Sequence, residues 1–75
     1  MFVVGTIKKN GKDTILISLG DYKGHAVCDL RIYYKTADGE YLPTPRGITF
    51  ANELLPELIK MLNEAQKQME VSANE

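Results

Sequence analysis

Aromatic and cationic side chains lie close together in residues 21–34, DYKGHAVCDLRIYY, along a run of alternating apolar residues. Tyrosine rings can stack on unpaired bases, and lysine and arginine can contact phosphates, which together is the chemistry of single-stranded nucleic-acid binding. The residues of these types that could take part are Lys8, Lys9, Lys12, Lys23, Arg31, Lys35, Arg46, Tyr22, Tyr33, Tyr34 and Tyr41. Because tyrosine is also common in strands and lysine on surfaces, composition alone leaves a purely structural role open.

The one cysteine and the one histidine do not suggest an active site. Cys28 and His25 are three positions apart, which on a strand places them on opposite faces, so they cannot act as nucleophile and base. One histidine and one cysteine do not form a metal-ligand pattern, and the glycines follow turn spacing without a phosphate-loop motif. The sequence therefore predicts no catalytic residues, no metal or other cofactor, and a protein that is not an enzyme.

Charge is distributed unevenly along the 75 residues, although the net charge is only −1. Residues 1–47 carry seven Lys and Arg against five Asp and Glu, whereas residues 48–75 carry two against five. A polyanion is therefore expected to bind the first part of the chain and to avoid the second.

The length of the chain predicts one domain with a small core. A single cysteine excludes an intrachain disulfide, so oligomerisation is the remaining way to stabilise so small a fold. No apolar run approaches the length of a membrane span, and residues 1–10 lack the basic and apolar segments of a signal peptide. We therefore expect a domain over residues 1–70, a frayed tail over 71–75, a cytoplasmic location and no membrane partner.

The first two thirds of the chain are predicted to form an antiparallel meander of four or five strands. Asn10-Gly11 is a strong hairpin signal because both residue types tolerate positive φ, and further turns are expected at residues 20–24 and 38–39. The predicted strands are residues 2–9, 14–19, 25–35, 40–42 and 47–50. Within residues 25–35 one face would carry Ala26, Cys28, Leu30 and Ile32, and the other His25, Asp29, Arg31 and Lys35.

Apolar residues recur at helical spacing after residue 51, which predicts one amphipathic helix. We expect it to run from Glu53 or Leu54 to Met69, with Asn52 suited to its start and Pro56 tolerated in its first turn. The helix is expected to cover the apolar face of the sheet. Its surplus apolar residues predict burial against a second copy of the chain, in a dimer interface formed by Leu54, Leu58, Met61 and Leu62.

Three motifs together resemble a known family. They are DYKG (21–24), VCDLRIYY (27–34) and DGEYLPTPRGITF (38–50), and they are followed by a leucine-rich helix. In this order they resemble the C-terminal domain of positive cofactor four, a family of transcriptional coactivators, over residues 13 to about 65. The resemblance implies an α+β homodimer in which a curved antiparallel sheet is followed by one C-terminal helix, and it implies sequence-independent binding of single-stranded or melted DNA.

Individual residues match the binding positions of that family. Tyr22, Lys23, Arg31, Tyr34 and Arg46 stand at such positions, and the chain's own cations add candidates around them. The predicted nucleic-acid-binding residues are therefore Lys9, Lys12, Tyr22, Lys23, His25, Arg31, Tyr34 and Arg46.

The chain departs from the family pattern in a few places. Pro45 precedes Arg46 where the family usually has a second basic residue. His25 stands where the family often has lysine, and Ala51 stands where the family commonly has a capping Asn. The Ser-rich regulatory region of the eukaryotic members is not part of the sequence. We therefore expect a stand-alone bacterial or phage version, associated with the nucleoid, that binds single-stranded DNA and acts as a transcriptional coactivator or regulator.

Two other functions are compatible with the same residues. The protein could be a dimeric adaptor that contacts RNA polymerase or another transcription or replication factor through its acidic helix. The ligand could also be single-stranded RNA, because stacking and phosphate contacts serve both nucleic acids.

Overall fold

Four antiparallel strands and one helix account for most of residues 2–73, the part of the chain that the computed structural model describes. The elements are β1 (Phe2–Lys8), β2 (Asp13–Tyr22), β3 (His25–Lys35), β4 (Tyr41–Ala51), a 3₁₀ turn (Asn52–Leu54) and α1 (Leu55–Ala73). The strands lie in chain order, so each pairs with its neighbour in sequence and β1 and β4 form the two edges. The predicted class, an antiparallel sheet followed by one helix, is confirmed with four strands.

The β2–β3 hairpin is longer than predicted. Gly20 and Asp21, which were expected to begin the turn, continue β2 and pair with β3. The turn consists of Lys23 and Gly24, whose φ angles are 51° and 83°. Two successive positive φ values are typical of the two-residue hairpin loops whose twist matches that of the strands. The long hairpin places Tyr22 and His25 opposite each other at its end.

The β1–β2 hairpin forms at the predicted place by a different mechanism. Within residues 2–73, Lys23 is the only non-glycine residue with positive φ, and Gly11 is not among the glycines that have it. The loop instead spans residues 9–12, and the Asn10 side chain holds it. Asn10 Oδ1 accepts hydrogen bonds from the backbone N–H groups of Lys12 at 2.9 Å and Asp13 at 2.8 Å. An asparagine that bonds nearby backbone in this way mimics a turn.

The last part of the sheet is one strand, and the prediction of two separate strands was wrong. β4 includes Pro43 and Pro45, which are tolerated because β4 is an edge strand and a missing N–H can face away from the ladder. Between the pairs of Arg31 and Tyr33 the register shifts, so residues 44–46 bulge outward. The Thr44 hydroxyl donates to the Ile32 carbonyl at 2.7 Å and holds the bulge against β3.

Beyond the bulge, β4 passes very close to β3. A Cβ on Gly47 would lie 2.5 Å from the Leu30 carbonyl oxygen and 2.8 Å from the Arg31 Cα. Only glycine fits at this close approach of the two strands without displacing the backbone of β3.

The helix starts later and ends later than predicted. The chain first forms the 3₁₀ turn, and α1 then begins at Leu55 with Pro56 in its first turn, where a proline is tolerated. Asn52 does not cap: Ala51 occupies the cap position without a side-chain bond, and Asn52 Oδ1 is buried with no hydrogen-bond partner in the described chain. α1 continues to Ala73, so residues 71–73 of the expected tail are helical, and residues 74–75 lie outside the described residues.

The helix does not cover the sheet of its own chain. It meets the sheet chiefly through the 3₁₀ turn, which contacts β3. The expectation that Ala26, Cys28, Leu30 and Ile32 pack under the helix is therefore wrong for a single chain, because α1 projects away from them. Among the described apolar side chains Cys28 alone is buried, with 2 % exposed. No helix within residues 2–73 is both long and apolar enough to cross a membrane.

Candidate nucleic-acid interface

The two sides of the sheet carry different side chains. β2 and β3 pair without a break, so residues alternate between the sides along both strands. One side, which we call the tyrosine face, carries Tyr22, His25, Arg31, Tyr33 and Lys35 together with Tyr41 and Thr49 of β4. The other, which we call the apolar face, carries Ile15, Ile17, Cys28, Leu30 and Ile32 together with Ile48 and Phe50 of β4.

The first depression on the tyrosine face lies where the β1–β2 loop meets the ends of β3 and β4. We call it the hairpin depression; its volume is about 320 Å³. Its lining includes three lysines and two tyrosines: Lys8, Lys12, Lys35, Tyr33 and Tyr41.

The second depression, which we call the central depression, has a volume of about 370 Å³. It is lined by Gly20, Asp21, Tyr22, Val27, Asp29, Arg31, Tyr33, Pro43 and Thr49. Since Tyr33 lines both depressions, the two adjoin on the same side of the sheet.

Arg31 is held at the floor of the central depression by a hydrogen-bond network. Its Nε and Nη2 donate to the two carboxylate oxygens of Asp29 at 3.1 and 2.9 Å. Nη1 donates to the Thr44 carbonyl at 3.2 Å, and Nη2 also donates to the Thr49 hydroxyl at 3.3 Å. A guanidinium has five N–H groups, so this network leaves about one of them for a ligand.

Asp29 balances the charge of Arg31. It is buried, with 7 % exposed. Burial raises the pKa of its carboxyl, but hydrogen bonds from Arg31 and Thr49 and the Arg31 charge outweigh burial, and the pKa lies below its usual range. The hydrogen bond to Asp29 raises the pKa of the Arg31 guanidinium. Both groups are ionised at neutral pH, so the centre of the tyrosine face has little net charge.

Three predicted residues come together at the β2–β3 turn. Tyr22 is 62 % exposed, and the Lys23 Nζ lies 5.4 Å from the centre of its ring, within the range of a cation–π contact. His25 is the cross-strand partner of Tyr22. This end of the tyrosine face therefore offers an exposed ring beside a cation.

Two predicted residues lie elsewhere. Tyr34 follows Tyr33 on β3, so it projects on the apolar side, where its partner across the strands is Asp13. The Arg46 Nη2 lies 3.2 Å from Asp13 Oδ2. The structure therefore brings Tyr34 and Arg46 close to Asp13 and does not bring them to Arg31.

Two of the predicted binding residues are lysines of the β1–β2 loop. Lys12 lines the hairpin depression, and Lys9 is an exposed residue of the same loop. The four lining residues that were candidates by type but absent from the predicted binding set are Lys8, Tyr33, Lys35 and Tyr41. Period-two spacing from Arg31 would have selected Tyr33 and Lys35 over Tyr34, whereas Lys8 and Tyr41 require the pairing of the strands.

Comparisons with known proteins agree with this architecture. The model of a family described as Transcriptional Coactivator p15 (PC4) matches residues 9–61. A comparison with curated proteins gives no match.

Two solved structures illustrate the likeness. A PC4 homolog from Burkholderia pseudomallei has a TM-score of 0.81 and 31 % identity in its orthorhombic crystal form, with 85 % of this chain and 86 % of that chain covered. A bacteriophage T5 homolog of the eukaryotic coactivator PC4, implicated in recombination-dependent DNA replication, has a TM-score of 0.57 and 18 % identity, with 93 % and 80 % covered, and shares the fold. Since the family model spans most of the sheet and the start of α1, the chain belongs to the PC4 family.

Proposed function

We propose that this protein binds single-stranded DNA, independently of sequence, across its tyrosine face. The observation that carries the proposal is that two adjoining depressions on one side of the sheet share Tyr33. Tyr22 lines the central depression and has Lys23 beside its ring, and Tyr41 lines the hairpin depression with three lysines. Rings at intervals with cations beside them suit an extended strand with unpaired bases.

The same features favour a single strand over a duplex. Stacking of a base on an aromatic ring contributes about 1–3 kcal/mol and tolerates any base, because every base has a π-face. Bases in a duplex are already stacked on each other, so a duplex would gain phosphate contacts alone. The preference for unpaired DNA therefore depends on the tyrosines, and the salt dependence depends on the cations.

We also propose that the binding unit is a homodimer. In the single chain Leu54, Met61 and Leu62 are 51, 52 and 58 % exposed on α1, and the apolar face of the sheet lies uncovered. Exposed apolar surfaces of this kind mark interaction sites. A second copy brings the same two surfaces, so the helix of each copy can cover apolar surface of the other in a symmetric arrangement. The tyrosine faces are not needed for this contact and stay free for DNA.

A fluorescence anisotropy titration tests the DNA proposal. Labelled oligo-dT, a duplex of equal length and oligo-rU are each titrated with the protein at two salt concentrations. We expect oligo-dT to bind more tightly than the duplex, and binding to weaken as salt rises because phosphate contacts release counterions. Equal or tighter binding of the duplex would overturn the proposal, and tighter binding of oligo-rU would identify RNA as the ligand.

The proposed physiological role is regulation of transcription on melted DNA, with the nucleoid as the place of action. We propose this role because the chain belongs to a family whose description is that of a transcriptional coactivator. A chain that captures RNA polymerase after nuclease treatment and does not bind oligo-dT would instead be a protein adaptor.

A further inference from the structure

We propose that the hairpin depression is a nucleotide subsite that holds a backbone phosphate between Lys8, Lys12 and Lys35 and a base against Tyr41. On this view it provides the main phosphate contact of the tyrosine face, and Arg31 does not. The inference rests on the proposed binding of single-stranded DNA and specifies where along the face the strand is held.

The charges of the two depressions differ. The hairpin depression has three lysines and no Asp or Glu in its lining, and these lysines form no ion pair within the described residues. The central depression has one arginine in its lining, together with the carboxylate residue Asp29. Arg31 is already paired with Asp29 at 2.9 Å. A phosphate is therefore attracted more strongly to the hairpin end than to the centre.

The backbone that carries these lysines is ordered by hydrogen bonds before any ligand binds. The Lys35 N–H donates to the Lys12 carbonyl at 3.3 Å, which ties the β1–β2 loop to the end of β3. The N–H groups of Lys9 and Asn10 both donate to the Asp13 carbonyl, at 3.0 and 3.2 Å. Because the loop is held in place, binding costs mainly the freedom of the lysine side chains.

The rings of the depression are positioned by the adjoining hairpin. Tyr41 is the cross-strand partner of Lys35, and it is 52 % exposed. The β3–β4 turn is closed by the Thr36 N–H, which donates to the Glu40 carbonyl at 2.7 Å. A volume of about 320 Å³ is at the lower end of the range for small-molecule sites, about 300–1,000 Å³, and suits one nucleotide.

Two substitutions test the subsite by titration with oligo-dT at several salt concentrations. Lys35→Gln should lower the slope of log affinity against log salt by about 0.7, the change expected for one lost phosphate contact on a single strand. Tyr41→Leu should weaken binding by about 5- to 150-fold with the slope unchanged. Lys60→Gln on α1 is the matched control, since it removes one exposed charge outside the lining of both depressions, and it should leave the slope unchanged.

The outcomes separate this inference from the proposed function. If the wild-type protein does not bind oligo-dT, the proposed function fails. If the wild type binds and Lys35→Gln has the same slope as Lys60→Gln, the subsite is refuted while the function stands. Lys35 is exposed, so its substitution should not change the melting temperature. If it does, Lys8→Gln, another exposed lysine of the same lining, takes its place and must reduce the slope by the same amount.

Discussion

The two faces of the sheet are built by the same strands but differ in how far their side chains are bonded or buried within one chain. On the tyrosine face, polar side chains bond to one another along and across strands: Asp29 accepts hydrogen bonds from Arg31 of the same strand and from Thr49 of β4. On the apolar face, Ile7 and Ile48 remain 56 and 55 % exposed. The Asp29 network of the tyrosine face forms within one chain, whereas the exposed isoleucines of the apolar face are not buried within one chain. This difference is the one expected if, as proposed above, the tyrosine face binds DNA and the apolar face packs against a second copy of the chain.

Adjacent residues of β3 show how sharply the roles divide. Tyr33 lines both depressions, whereas Tyr34 lies next to it in sequence and projects to the other side. In a strand a shift of one residue exchanges the faces. Two tyrosines in succession therefore cannot both face the same strand of DNA unless the backbone is irregular, and the β2–β3 ladder is regular here.

The largest effect is expected from a charge on the proposed protein-facing surface. Met61→Asp should dissociate the dimer, because an aspartate buried without a partner costs on the order of 3 kcal/mol or more in each subunit. Met61 is 52 % exposed in the single chain, so the substitution should not harm an isolated subunit directly. Sedimentation should show twice the 8.4 kDa chain mass for the wild type and less for the variant.

Asn63→Asp is the control for that experiment, since Asn63 is exposed on α1 outside the predicted interface and receives the same side chain. It should sediment like the wild type. A wild-type protein that is monomeric at micromolar concentration would contradict the dimer and remove the distinction between a ligand face and a protein face.

A smaller effect is expected from removing one ring from the tyrosine face. Tyr33→Ala should weaken binding of oligo-dT by about 5- to 150-fold, since a stacked base contributes about 1–3 kcal/mol. Tyr33→Phe keeps the ring and should bind nearly as the wild type does. Tyr34→Ala should weaken binding less than Tyr33→Ala in the same anisotropy titration. The family resemblance places Tyr34 at a binding position, so the reverse order would show that the DNA crosses the other side of the sheet.

An effect of similar size, on stability, is expected from a change in the network within the tyrosine face. Asp29→Asn should lower the free energy of unfolding at pH 7 by about 1–3 kcal/mol, because the hydrogen bonds from Arg31 lose their charged acceptor. The pKa of Asp29 is lower in the folded chain than in the unfolded chain. Its contribution is therefore complete above the unfolded value of about 3.9 and is lost as the pH falls below it through the folded value.

Urea unfolding at several pH values and one protein concentration measures that contribution. The difference in free energy of unfolding between wild type and Asp29→Asn, the stability gap, should be constant from pH 7 to about pH 5. It should narrow below about pH 4. A gap that does not change on acidification would mean that the carboxylate charge does not stabilise the network.

Local patterns were enough to predict part of the fold. The alternation of residues 25–35 predicted β3 with its observed ends, His25 and Lys35, because a period of two is a property of the strand itself. The hairpin at Asn10 was also predicted, but Asn10 and Gly11 do not adopt the positive φ on which that prediction was based. The order and spacing of the three motifs were enough to identify the family.

The features that the sequence did not predict depend on distant parts of the chain. Pro43 and Pro45 argue against a continuous strand until β4 is known to be an edge. The direction of α1 could not be predicted from its apolar spacing. That spacing is the same whether the helix packs on its own chain or on a second chain. The choice of Tyr34 over Tyr33 followed the family pattern, whereas cross-strand register places Tyr33 with Arg31.

The meander order of the sheet has a consequence for how the protein assembles. Every strand pairs with the next one along the chain, and connections of two to five residues join them. Low contact order favours rapid folding, because little loop entropy is lost before contacts form. If two copies must meet to bury the helices, the slow step of assembly is their encounter, and the refolding rate rises with protein concentration.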